Sequence, residues 1–293
     1  MYELIQAAEH TWYIDCPAKM GLWVDGTDAY LIDAGGDKDA GKKALKIIAA
    51  QGWTLKGVIN THSHADHIGG NQQLQKATGC RVFAGGMEAD FTRHPLLEPS
   101  LLYGGYPHRE LHHKFLMAQP SDVTPLDDPS FPAALEILPL PGHSPEMIGV
   151  RTPDDVVFLG DCVSSAATLE KYGISYLYHV GDFLATLDKI EAMQAALFVP
   201  AHAEATADIV PLARLNRDKT HAIADAIVEL LDQPRCFDAL LQAVFQRFGL
   251  VMTVQQHALI GATVKSYLSW LKDEGRVRLR IEDNMMLWER GKA

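Results

Sequence analysis

The stretch Val58–Asn71, VINTHSHADHIGGN, decides how this chain is read. His62, His64, Asp66 and His67 fall within six positions, between an apolar run and the pair Gly69-Gly70. Exposed imidazoles gain nothing by crowding. Buried ones cost free energy unless each ring nitrogen finds a partner. In extended chain, residues two apart face the same way, so His62 and His64 project together. A turn at Asp66-His67 then redirects the next pair. One segment of chain can therefore serve two adjacent metal ions.

Three further stretches repeat the arrangement of a metal-competent residue just after an apolar strand. LEILPLPG leads to His143, VVFLG to Asp161 and ALFVPA to His202. Strand ends in a layered α/β protein converge on one edge, where loops build sites. A lone histidine is usually a hydrogen-bonded surface or core residue; seven donors in a shared pattern are not. Imidazole suits zinc and iron, and carboxylates add hard oxygen donors that can bridge. Five histidines and two carboxylates suit two ions better than one four-coordinate structural ion. With no cysteine in the set, a structural thiolate site is disfavoured.

Around these stretches the chain alternates strand and helix. TWYID, MGLWVDG and AYLIDAGG read as strands, and DKDAGKKALKIIAAQG as a helix stopped at Gly52. GGNQQLQKATG reads as a second helix and CRVFAG as the next strand. Alternation of this kind favours α/β architecture. Residues 87–125, rich in Pro, Gly, His and aromatics, are too long for an ordinary connection and read as an insertion, a lid or an interface segment. A hairpin is expected with its turn at Pro153-Asp154-Asp155.

At this point THSHADHIGG, PGHSPE, LGDC and PAHAE resemble the motifs of the metallo-β-lactamase superfamily, and LIDAGG resembles its first motif. The resemblance runs from about residue 10 to 205. It implies an αβ/βα four-layer sandwich with a two-metal site at one edge, and a catalytic domain over residues 1–205. Carried over, His62, His64 and His143 hold the first metal; Asp66, His67 and His202 hold the second; Asp161 bridges them. Asp33 supports the ligand loop from behind. The implied chemistry is a zinc-dependent hydrolase with two Zn2+ per chain, iron or manganese being the alternatives. A metal-bridging hydroxide would attack a small ester, thioester or lactone, with Asp66 and Asp161 as the catalytic carboxylates. The complete His-x-His-x-Asp-His run argues against the flavin-coupled diiron branch. A phosphodiesterase or endoribonuclease, a mononuclear iron persulfide dioxygenase and a scaffold with a vestigial site are the other readings. Tyr103 and Tyr106 in the insertion, and Tyr172, Tyr176 and His179 after the bridging aspartate, are candidate pocket residues for an organic substrate.

The rest of the chain reads as a connecting helix over 206–233 and a small winged-helix-like unit over 234–293. That tail carries nine basic residues against six acidic, within a chain of 293 residues and net charge -11. So acidic a protein is not expected to bind nucleic acid through its overall field. The tail is expected to cap the catalytic domain or form a homo-oligomer interface, with RVRLR as a solvated strand. No apolar stretch approaches the roughly 20 residues that span a bilayer. The four cysteines are widely spaced and the first residues lack a secretory pattern, so a cytoplasmic protein with reduced thiols is expected.

Overall fold

The computed structural model describes residues 2–291. Met1, Lys292 and Ala293, the last two in the expected C-terminal unit, lie outside them. The first sheet runs, in spatial order, β1 (Glu3–Gln6), β2 (Thr11–Asp15), β3 (Met20–Asp25), β4 (Asp28–Ile32), β5 (Thr54–Ile59) and β6 (Arg81–Phe83). Pairing is antiparallel from β1 to β4 and parallel from β4 to β6. The second sheet has β10 (Leu197–His202), β9 (Val156–Ser164), β8 (Ile148–Arg151) and β7 (Glu136–Pro139) in that order.

The alternation of β3 shows why two sheets stack. Met20, Leu22 and Val24 face one way and pack with Ala44 and Ile48 of α1 (Lys38–Ala50) and Leu74 of α3 (Asn71–Thr78). Trp23 faces the other way and joins Phe158, Val150 and Val199 of the second sheet. A strand with both faces buried needs a layer on each side. Asp37 starts α1 by accepting from the Asp39 and Ala40 amides, both at 3.0 Å. The result is the four-layer αβ/βα sandwich.

The expectations drawn from the sequence do not include β1, α6 (Ala166–Tyr172) or α7 (Val180–Glu191). The insertion also contains more regular structure than its composition suggests. It holds α4 (Gly86–Arg93), α5 (Leu97–Tyr103) and one 3-10 turn at Arg109–Leu111. Its return limb pairs Thr124 with Phe83 at the edge of β6.

The last helical layer begins with α7 and α8 (Val210–Leu230) and continues into α9 (Phe237–Arg247) and α10 (Val254–Asp273). The hairpin of β11 (Val277–Glu282) and β12 (Met285–Arg290) closes the chain through Asp283 and Asn284, both at positive φ. These elements share one apolar core with the second sheet. Leu159, Leu187, Ile227, Val244, Val264 and Trp288 belong to a single buried cluster. Among the described residues, no helix is long and apolar enough to cross a membrane.

Candidate metal centre

The strand ends converge as the sequence pattern requires. β5 runs straight into His62 and His64, and the short α2 (Ala65–Ile68) carries Asp66 and His67. His143 follows β7, Asp161 lies within β9, and His202 ends β10. Gly69 and Gly70 let this loop press onto the chain after β4. A Cβ on Gly69 would sit 2.3 Å from the Gly36 carbonyl carbon, and one on Gly70 2.3 Å from the Ala34 oxygen.

Two donor groups result. The ligand atoms of His62, His64 and His143 lie within 4.8 Å of one another, and so do those of Asp66, His67, Asp161 and His202. His64 Nδ1 stands 3.0 Å from His62 Nε2 and 3.0 Å from His143 Nε2. Asp161 lies between the groups: its Oδ1 is 3.1 Å from His67 Nε2 and its Oδ2 is 3.3 Å from His143 Nε2. His202 Nε2 is 3.4 Å from that same Oδ2 and 3.3 Å from Asp66 Oδ2.

The outer nitrogens are held from behind. His62 Nδ1 faces Thr61 Oγ1 at 3.0 Å, and the hydroxyl in turn donates to Asp33 Oδ2 at 2.7 Å. Asp33 Oδ2 also meets His67 Nδ1 at 2.8 Å, while its Oδ1 accepts from the Thr61 amide at 2.8 Å. His143 Nδ1 faces the Tyr176 carbonyl and His202 Nδ1 the Pro17 carbonyl, each at 3.1 Å. With those protons on Nδ1, four Nε2 lone pairs point inward.

Electrostatics and unmet polar atoms both fit a pair of cations. Burial drives the first group toward neutral imidazole: His62 falls well below the ordinary value, and His64 and His143 fall to about 4. Three neutral acceptors thus converge without a proton to share. In the second group, Asp161 raises His202 to about 10. Burial alone would lower His67, but Asp161, Asp66 and Asp33 carry it well above the ordinary value. Burial likewise opposes ionisation of Asp66 and Asp161, yet neighbouring His67 and His202 hold both below the carboxylate range. This half of the site therefore demands positive charge. His67 Nε2 and Asp161 Oδ1 are buried and make no hydrogen bond although they nearly touch. Both aim at the same space, and buried polar atoms without partners call for an ion or water there.

A cavity of about 230 Å³ opens over His64, His143 and Asp161, with Tyr172 and Tyr176 in its wall. A second, of about 510 Å³, lies beyond Asp66 and His202 and carries Lys114 and Lys171 at its edge. The other candidate pocket residues lie elsewhere. Tyr103 and Tyr106 are exposed on the insertion, stacked edge-on against His108 and His112. His179 caps α7, its Nδ1 accepting from the Asp182 amide at 2.9 Å.

Two carboxylates of the insertion escaped the sequence reading. Buried Glu88 accepts from the Ser63 amide, Ser63 Oγ, Ser144 Oγ and the Glu146 amide, at 2.6–3.0 Å. It thereby ties the His62 loop to the His143 loop. Glu98, only 8% exposed, brings Oε1 within 3.7 Å of His64 Nε2, and burial pushes its carboxyl up to about 8. No spacing marks either residue. Glu98 stands among apolar neighbours, Leu96, Leu97 and Pro99, whereas Glu88, two residues from Asp90, is one of several charged residues on its helix.

The family model of the metallo-beta-lactamase superfamily matches residues 14–202, well over half of the chain. The chain belongs to that superfamily. It is 32% identical over 118 residues to a hydroxyacylglutathione hydrolase of Methylococcus capsulatus, covering 40% of this chain and 37% of that one. It is 30% identical over 145 residues to the hydroxyacylglutathione hydrolase GloC of Haemophilus influenzae, covering 48% of this chain and 63% of that one. The matched stretches thus span less than two thirds of either relative. Among solved structures, a metallo-beta-lactamase family protein of Thermus thermophilus superposes with a TM-score of 0.71 at 20% identity. That match covers 99% of this chain and 98% of the other. A beta-lactamase domain protein of Burkholderia ambifaria gives 0.72 at 16% identity, covering 99% and 95%. Both likenesses concern the fold and extend through the C-terminal elements.

Proposed function

We propose that the protein is a metal-dependent hydrolase that opens a small carboxylic thioester, with two zinc ions per chain. The observation that carries this reading is the meeting of two donor groups at Asp161. His62, His64 and His143 would hold one ion; Asp66, His67 and His202 the other; Asp161 both. When bound, two such ions polarise a carbonyl oxygen and make water acidic enough to react at neutral pH.

The chain's own residues supply orientation and proton handling. Asp33 and Thr61 fix protons on the Nδ1 atoms of His67 and His62, keeping each Nε2 a donor atom. Asp66 is the least buried carboxylate of the set, its side chain 47% exposed, and it borders both cavities. There it can accept a hydrogen bond from the attacking water and orient it. The choice of a thioester rests on the relatives named hydroxyacylglutathione hydrolase. A phosphodiester is disfavoured because the hairpin arginines are already paired. Arg276 meets Asp225 at 2.7 Å, Arg278 meets Glu289 at 3.0 Å and Arg280 meets Glu282 at 3.1 Å.

The test is a substrate screen of the purified metal-loaded protein with acyl thioesters, lactones, phosphodiesters and a chromogenic β-lactam. Thioester turnover that disappears with chelator and returns with zinc is expected. Turnover of phosphodiesters alone would overturn the substrate class. No turnover of any class with metals bound would favour a scaffold.

A further inference from the structure

The insertion and α10 meet over the metal centre, and the chemistry above uses neither. Leu102, Leu111 and Leu116 of the insertion bury themselves against Ala258 of α10, with Leu259 and Tyr176 alongside. Gln255 Nε2 reinforces the joint by donating to the Glu110 carbonyl at 3.2 Å. Meanwhile Ile260, Val264 and Leu268 of the same helix sit in the main core. One end of α10 is therefore rigidly anchored and the other forms part of the site.

This joint borders the cavity over His64, His143 and Asp161. Leu116, Ile174 and Leu259 line it with the rings of Tyr172, Tyr176 and Phe115. Apart from the proposed ligands, Glu98 is the one acid among the lining residues, and it is turned onto His64. The volume of about 230 Å³ lies below the few hundred Å³ typical of drug-sized sites. Ser164, Thr168, Ser175 and Gln256 add polar points to the wall, yet its lining is more apolar than polar. Such a chamber ending at a polar reaction centre fits a group that is apolar along its length and polar at its reacting end.

Resting on the thioester reading, we propose that this chamber receives the acyl part of the substrate, a compact unbranched aliphatic chain. Leu259 of α10, part of the chamber wall, sets the length it accepts. The C-terminal elements are thus a specificity-determining wall. Each methylene that fits should tighten binding about fourfold, from the transfer free energy of a buried methylene. A chain that reaches Leu259 loses that gain because packed interiors do not yield to overfilling.

The experiment measures binding of the free acids, acetate through decanoate, to the metal-loaded protein by calorimetry. Thioester turnover is followed in parallel across the same acyl series with one thiol. Affinity should climb about fourfold per methylene and then break. The break should come at a shorter chain in Leu259→Trp and at a longer one in Leu259→Ala, with thermal melts confirming that both variants fold. Affinity independent of chain length in the wild type, or a break that neither variant moves, would overturn the proposal. Should the break move while no thioester is hydrolysed, the thioester reading falls and the chamber stands. Should thioesters be hydrolysed while the acid series stays flat, the chamber falls and the thioester reading stands.

Discussion

Asp33 adopts φ of 63°, a region that side-chain-bearing residues rarely enter. Strain of this kind persists where surroundings over-determine it. Here the surroundings are Thr61 and His67, which the carboxylate holds with three contacts of 2.7–2.8 Å. Asp33→Ala should leave the fold intact and weaken metal binding about 10–100-fold, as expected for an outer partner of a ligating histidine. Competition against a chelator measures this, and an unchanged affinity would contradict the role assigned to Asp33. Cys162, next to Asp161, is a different case. It is fully buried, and burial with the Asp161 charge drives its thiol far above the ordinary range. It packs; it does not act as a nucleophile.

At the scale of elements, α4 is the tie between ligand loops. Glu88 collects four hydrogen bonds from two loops that otherwise meet through the His64–His143 contact and the hydrogen bond from the Ile148 amide to the Thr61 carbonyl. Removing it strands several buried donors, so Glu88→Ala should cost roughly 3 kcal/mol. Urea unfolding reads that loss, and a shift below about 0.5 kcal/mol, the scale of a surface change, would contradict the role. The ligands themselves were legible because each lies at or just beyond the apolar run of a strand, and strand ends share an edge. Glu88 and Glu98 were not, because a single acid on a helix carries no periodic signal; only tertiary packing turns it toward a loop far away in sequence. Tyrosines divided for the same reason. Tyr172 and Tyr176 follow β9 closely and stay near its end, whereas Tyr103 and Tyr106 ride on an insertion whose path composition does not reveal. By contrast α7 does carry a helical spacing, at Val180, Phe183, Leu187 and Ile190, and is legible on the same grounds as α1. The edge strand β1 is only half buried and shows no alternation to read.

For the whole molecule, the decisive feature is continuity of the core. The modest basic charge of the tail says only that it is no strong nucleic-acid footprint. Its apolar residues say more, because Leu240, Val244, Val264 and Tyr267 complete the core begun by Leu187 and Ile227. A chain ending at Gln233 would expose that apolar face. It should aggregate or lose its cooperative thermal transition, since large unpartnered apolar surfaces drive association. A soluble, cooperatively melting truncated protein would refute this integration.

Two donor groups sharing Asp161 are the central claim, and elemental analysis of the purified protein tests it most directly. Wild-type protein loaded with zinc and freed of loosely held ions should carry close to two equivalents per chain, and Asp161→Ala should retain clearly fewer. A wild type that holds one equivalent or none, or an Asp161→Ala variant that keeps two with undiminished affinity, would contradict it.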